Sequence, residues 1–212
     1  MTIKAAQLID DELAEQLSSC DVVALSRHAL ISRANFGPGK PAPPSDIEIC
    51  AAAIAAAGEL LTPAPRVVGV LGAGMPARIL VALMIRYLSK LSHVAVFDGD
   101  ARLATSLVDC CAALRQSRGV VVAAAENARD AVMGAELVFS TSSKGKAFRV
   151  PAEWLIFGAV LIEMTAPATP EAGPDGFDRS FTWDQLAEMF AGQRPGRLHA
   201  DERVLVRLDG AR

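Results

Sequence analysis

Short apolar runs, each closed by a glycine, an acid or a hydroxyl residue, recur from residue 66 onward, with helically spaced stretches between them. Arg66-Val-Val-Gly-Val-Leu71 is the first. It is rich in β-branched side chains and too short for a buried helix, so it predicts a strand covered on both faces. Leu91–Asp98, Gly119–Ala123, Ala135–Ser140 and Gly158–Met164 repeat the pattern. Ile79–Leu88 is apolar nearly throughout and predicts a helix packed on several sides. Ala101–Gln116, with Leu103, Leu107 and Cys110 or Cys111 inward, and a short segment to Met133 capped by Asn127 supply further helices. Strands alternating with helices imply a parallel sheet joined by right-handed crossovers. Near the end, Thr182-Trp-Asp-Gln185 is a capping box opening a helix to about Phe190, and Arg203–Leu208 alternates like an edge strand.

Residues before 66 are less regular. Asp10 or Asp11 caps a helix through about Leu17, Asp21–Leu25 reads as a short strand, and the Pro/Gly-rich stretch 33–44 reads as a loop. Ser45-Asp-Ile-Glu48 is a capping box opening an alanine-rich helix over 46–61, which Thr62-Pro-Ala-Pro65 ends. The organisation expected is a reduced N-terminal or dimerisation segment over 1–62, a nucleotide-binding domain over 63–180, and a C-terminal helix and strand over 181–212.

The chemistry is concentrated after the first strand. Gly72-Ala-Gly-Met-Pro-Ala77 fits G-x-G-x-x-A between a strand and a helix, the context that a dinucleotide fingerprint requires. Gly72 allows the tight turn, Gly74 lets the backbone approach a pyrophosphate, and Ala77 lets helix and strand pack closely. Backbone amides and the helix dipole from Met75 through Pro76 to Arg78 favour an anion there. Pro76 gives up only an amide that has no helical partner. Asp98 ends the next strand, where an acid accepts hydrogen bonds from an adenosine ribose. That favours NAD, with NADP less expected, since Gly99 brings no cation for a 2′-phosphate, although Arg102 is near. The fold class is therefore α/β: a Rossmann-type, doubly wound, mostly parallel sheet with a reduced N-terminal segment. Ser140, Thr141 and Ser142 stand at a later strand end, where ligands of such sheets collect, beside Lys144 and Lys146.

Composition narrows the partners. With 51% apolar residues the chain supports a substantial core. The 21 basic and 24 acidic residues are interspersed and aromatics make up 5%, so no nucleic-acid surface is expected. The start lacks a secretory pattern, and no apolar run reaches the ~18 residues of a membrane span. Cys20, Cys50, Cys110 and Cys111 show no C-x-x-C spacing. A reduced, cytoplasmic protein without metal is expected.

Several motifs together resemble the ornithine cyclodeaminase/μ-crystallin family. They are Gly72-Ala-Gly-Met-Pro-Ala-Arg78, Phe97-Asp98-Gly-Asp100, Ala131-Val-Met-Gly-Ala-Glu-Leu-Val138, Ser140-Thr-Ser142, Trp154-Leu-Ile-Phe-Gly158 and the G-x-x-P-G-R turn ending at Arg197. The resemblance implies NAD(H) or NADP(H) bound in a Rossmann domain, a homodimer, and an amino- or imino-acid substrate. The chain also departs from the family. Glu48 or Ile49 stands where the family has R-T, Ala166 or Pro167 at the place of its catalytic aspartate, and Pro76 at its glutamine. No family catalytic residue is carried over. Lys144 and Glu163 are candidate groups for moving a proton during imine reduction, and His28, Arg33 and Lys40 for a carboxylate contact. Two readings follow. One is an NAD-dependent enzyme acting on a small amino or imino acid; the other is a catalytically degenerate relative that binds NAD or a small ligand as sensor, carrier or partner subunit. The alanine-rich helix over 46–61 and the helix over 79–88 are the expected dimer faces.

Overall fold

In the computed structural model, which describes residues 21, 24, 27, 45–112, 118–143, 146–165 and 176–208, the first apolar run forms strand β1 (Val67–Leu71). The glycine turn follows, and helix α2 (Met75–Tyr87) starts directly behind it, four residues earlier than its apolar run. Ahead of them lies α1 (Asp46–Leu60). Ser45 Oγ accepts from the Glu48 amide while the Glu48 carboxylate takes the Ser45 amide at 2.7 Å, so the capping box is complete. Such a cap contributes about 1 kcal/mol.

The chain then winds through β2 (His93–Phe97), α3 (Ala101–Cys110), β3 (Val121–Ala124), α4 (Ala128–Val132) and β4 (Leu137–Ser140). A small antiparallel hairpin, β5 (Ser142–Ser143) and β6 (Lys146–Ala147), a 3₁₀ turn over Ala152–Trp154 and β7 (Val160–Glu163) come next. β8 (Arg179–Thr182), α5 (Trp183–Phe190) and β9 (Val204–Arg207) complete it. The main sheet runs β3-β2-β1-β4-β7-β9-β8 with every pair parallel. Strand order reverses between β1 and β4, and a crevice opens beyond the carboxyl ends at such a reversal.

Alternation divides the core in two. Val68, Val70, Phe139, Ile162 and Val206 pack on α1, α2, α3 and α5, whereas Leu71, Val138, Leu161 and Leu205 pack on α4 and Leu155. α4 rides directly on β1: a Cβ on Gly69 would overlap the Ala131 carbonyl oxygen.

Four expectations change. Arg203–Leu208 is not an edge strand: β9 lies between β7 and β8, and Val204, Leu205 and Val206 are all buried. The edge is β8. The strand expected over 21–25 is not seen at its two described residues, Asp21 and Ala24: Ala24 is helical and its amide donates to Asp21 Oδ1 at 3.1 Å. The faces expected to meet a second copy are buried within one chain, because Ile49–Ala57 of α1 and most apolar residues of α2 have little exposure. Helix α3 ends at Cys110, with Cys111 as its C-cap. The expected helix over 10–17, the loop over 33–44 and the remainder of the 101–116 helix at 113–116 lie outside the described residues. Among the described residues no helix is long and apolar enough to cross a membrane.

Two family-like motifs prove to be one joint. Arg197 Nε donates to the His199 carbonyl at 2.8 Å and its Nη1 to the Leu60 carbonyl at 3.4 Å, tying the C-terminal turn to the end of α1. Gly158, at φ +82°, lies against this guanidinium: a Cβ there would sit 2.8 Å from Arg197 Nη2 and 2.5 Å from the Ala200 carbonyl oxygen. Left-handed strain of roughly 1–2 kcal/mol and overpacking of about 1–3 kcal/mol add up. Gly158→Ala is expected to lose about 2–5 kcal/mol, measured by urea unfolding.

The same turn carries an acid-sensitive contact. Burial raises the Glu202 carboxyl pKa, but hydrogen bonds from the Leu198 and His199 amides and the Arg179 guanidinium outweigh this and hold it below its usual value. A depressed carboxyl contributes stability that is complete above the unfolded value, about 4.3, and is lost as pH falls through the folded one. The melting-temperature gap between wild type and Glu202→Gln should be full at pH ~7 and close below about pH 4.

Candidate functional site

The glycine turn is fixed from three sides. The Gly72 amide donates to the Phe97 carbonyl at 2.8 Å, binding the turn to the end of β2. The Ala73 amide donates to Asp98 Oδ2 at 2.8 Å, and Asp98 Oδ1 accepts from the Asp100 amide at 2.8 Å. On the other side Thr141 closes β4 onto β1: its amide and its Oγ1 both donate to the Leu71 carbonyl, at 2.8 and 3.0 Å. Thr141 also fills the space beside Gly72. At φ +93°, a Cβ on Gly72 would overlap Thr141 Oγ1 and lie 2.9 Å from its carbonyl oxygen.

Gly74 differs from Gly72. It is the N-cap of α2 with φ −73° and ψ −170°, extended backbone that any residue adopts. A Cβ there would come no nearer than 3.6 Å to the Ser142 carbonyl oxygen and 3.7 Å to Pro76 Cδ, both ordinary contacts. Neither backbone nor packing demands glycine, so its bare Cα leaves space on the outer side. No side chain caps α2 at this end, and Pro76 stands in its first turn. The first amides of a helix point outward with partial positive charge. Met75, 42% exposed, flanks the opening, while Ala77 is fully buried against the core.

The structure brings Gly72, Gly74, Met75, Pro76, Ala77, Asp98, Thr141 and Ser142 to the carboxyl ends of β1, β2 and β4. Asp98 is 3% exposed, deeper than a surface acid, because it braces the turn. Arg78 points into the helix layer, donating from Nη2 to Ser106 Oγ at 3.1 Å and from Nη1 to Cys110 Sγ at 3.5 Å. Ser140 is buried and its hydroxyl donates to the Phe148 carbonyl at 2.9 Å, so Ser140 and Thr141 both engage main-chain carbonyls. Behind α2, Cys50 Sγ lies 3.4 Å from the Pro76 carbonyl. Burial, with Asp46 near, pushes this thiol well above its usual range.

Glu163 ends β7 in register with Ser140, and its Oε2 accepts from Arg207 Nε at 3.2 Å. Lys144 lies outside the described residues. The sequence alone did not single out Arg207. The available signal was a charge ending an otherwise apolar strand, Val-Leu-Val-Arg, just as Glu163 ends Val-Leu-Ile-Glu.

The profile of the Ornithine cyclodeaminase/mu-crystallin family matches residues 48–175. Among solved structures, the chain is similar to the Δ1-pyrroline-2-carboxylate reductase of Thermococcus litoralis in complex with NADH and L-proline (16% identity, 77% of this chain and 59% of that one, TM-score 0.61). It is similar to an archaeal alanine dehydrogenase dimer with bound NAD (19% identity, 76% and 57%, TM-score 0.62). It is also similar to the iminosuccinate reductase of Paracoccus denitrificans in complex with NAD+ (20% identity, 75% and 56%, TM-score 0.58). The match spans less than two thirds of each of these chains, and at these identities it establishes the fold. A search of curated protein sequences finds no match.

Proposed function

The chain belongs to the ornithine cyclodeaminase/mu-crystallin family, and on that premise we propose that it holds NAD(H) at the glycine turn and exchanges hydride with the α-carbon of a small amino or imino acid. The observation that carries this reading is Gly74. It is a glycine that the protein's own packing does not need, at the start of a helix that no side chain caps. A diphosphate fits that need, with close backbone approach and oriented amides. The residues that would hold the cofactor are Gly74, Met75 and Ala77 at the diphosphate, with Asp98 and Asp100 on the adenosine side. Two carboxylates at the end of β2 oppose a 2′-phosphate, which supports NAD over NADP.

When bound, the cofactor supplies or accepts the hydride; the chain's part is to align the substrate's α-carbon, exclude water and move one proton at nitrogen. The active unit in this reading is a homodimer whose interface lies away from the buried faces of α1 and α2. The test is oxidation of NADH by the purified protein, followed by absorbance, against a panel of cyclic imino acids and of 2-oxo acids with ammonia or methylamine. Turnover is expected with at least one member. NADH binding without oxidation across the panel would overturn the enzyme reading in favour of a binding protein.

A further inference from the structure

The last residues of the parallel strands that share one face of the sheet form a row. The register reads Phe97, Leu71, Ser140, Glu163, Arg207 and Thr182. Its character changes along its length. At one end Phe97 and Leu71 are apolar, and Phe148 covers Phe97 edge-on at 5.7 Å between ring centroids. Beyond Ser140 the row carries Glu163 and Arg207. Each is the charged terminus of a strand whose other three residues are buried and apolar. Holding such a pair at a strand end costs desolvation that an apolar pair would not incur.

Position gives this pair a use. The glycine turn after β1 fixes where a diphosphate lies, and the substrate half of the crevice falls across the switch point, beyond β4 and β7. An α-amino or α-imino acid brings a carboxylate there, which calls for a cation. Of the last residues of β1, β4, β7 and β9, Leu71, Ser140, Glu163 and Arg207, Arg207 is the cation. Its side chain is 33% exposed, against 12% for Glu163. Glu163 holds it through Nε, the inner nitrogen of the guanidinium.

We infer that Arg207, steadied by Glu163 at the adjoining ends of β7 and β9, is the residue that receives the carboxylate of the substrate. The inference deepens the proposed function and rests on it for the kind of ligand. Glu163 is then a positioning residue for Arg207.

The test uses the full 212-residue chain and pyrrole-2-carboxylate, a flat, non-reducible carboxylate probe, with pyrrole-2-carboxamide as its uncharged counterpart. Both are titrated calorimetrically with and without NADH. Wild type should prefer the carboxylate at least ~10-fold, a difference of about 1.4 kcal/mol. Arg207→Gln should lose that preference while its NADH affinity stays within about two-fold. Arg207→Lys should restore part of it, since an ammonium lacks the planar fork. Glu163→Gln keeps an acceptor for Nε but removes the competing negative charge, so carboxylate affinity should rise. This arm also stands if Arg207→Gln does not fold. The assignment is overturned by an unchanged carboxylate preference in Arg207→Gln, by weaker carboxylate binding in Glu163→Gln, or by a wild type that does not distinguish the two probes in either condition. Absence of an NADH isotherm alone removes the cofactor reading and leaves the carboxylate arms to decide the role of Arg207.

Discussion

Replacing Gly72 by alanine is expected to lower the melting temperature of the protein by roughly 4–20 °C. Two independent costs add. The residue is at φ +93°, a conformation that costs an L-residue about 1–2 kcal/mol. The new Cβ also enters space that Thr141 occupies with both its hydroxyl and its carbonyl oxygen, and neither yields easily. Thr141 Oγ1 is bonded to the Leu71 carbonyl, and the Thr141 amide bonds the same oxygen, joining β4 to β1. Displacing Thr141 therefore opens the sheet at its centre. Overpacking of this kind costs about 1–3 kcal/mol. Thr141→Ser combined with Gly72→Ala should recover little, because the hydroxyl and carbonyl that clash remain. Circular dichroism melts of the three proteins measure this directly.

Gly74→Val should do the opposite. Its backbone is extended and the nearest atom to a Cβ is 3.6 Å away, so the fold should survive with a change within about 0.5–1 kcal/mol. Ligand binding should not survive. A branched side chain on the outer side of the α2 N-cap would stand between the helix amides and any phosphate oxygen. Losing two charge-assisted hydrogen bonds, at about 1.5–3 kcal/mol each, corresponds to a fall of at least ~100-fold in NAD affinity. Two glycines two residues apart thus separate folding from binding. A Gly74→Val protein that melts like wild type and still binds NAD equally would place the diphosphate elsewhere.

The contrast between these glycines marks what was legible in the sequence. A G-x-G-x-x-A turn after an apolar run located the crevice, and both capping boxes formed as read, because each rests on neighbours in the chain. What escaped depends on partners distant in sequence. Thr141 read as a hydroxyl at a strand end; its role as the wall behind Gly72 needs the pairing of β1 with β4. Asp98 read as a ribose acceptor, but its grip on the Ala73 amide is a tertiary contact. β8 was missed because Arg179-Ser-Phe-Thr182 has one buried residue, Phe181, among polar ones, which leaves no alternation to detect. Conversely, apparent alternation over Arg203–Leu208 suggested an edge, although three consecutive apolar residues, Val204–Val206, are the mark of a strand buried on both faces. At Ala24, which is helical, a short apolar run did not distinguish strand from helix.

The surface reading also changed for a physical reason. An apolar, alanine-rich helix suits close packing, and its face was expected to meet a second copy. In the fold, small side chains let α1 lie close against α2, and its residues from Ile49 to Ala57 are already covered. Close approach of two helices is what alanine permits, within a chain as well as between chains.

The central claim is that the turn between β1 and α2 binds the diphosphate of NAD. Calorimetric titration of NAD+ and, separately, NADP+ into the wild-type chain tests it most directly. The account predicts saturable binding of NAD+ at one site per chain, with NADP+ at least ~10-fold weaker, about 1.4 kcal/mol, because negative charge from Asp98 and Asp100 at the end of β2 opposes a further phosphate. No heat of binding from either nucleotide at millimolar concentration would contradict it.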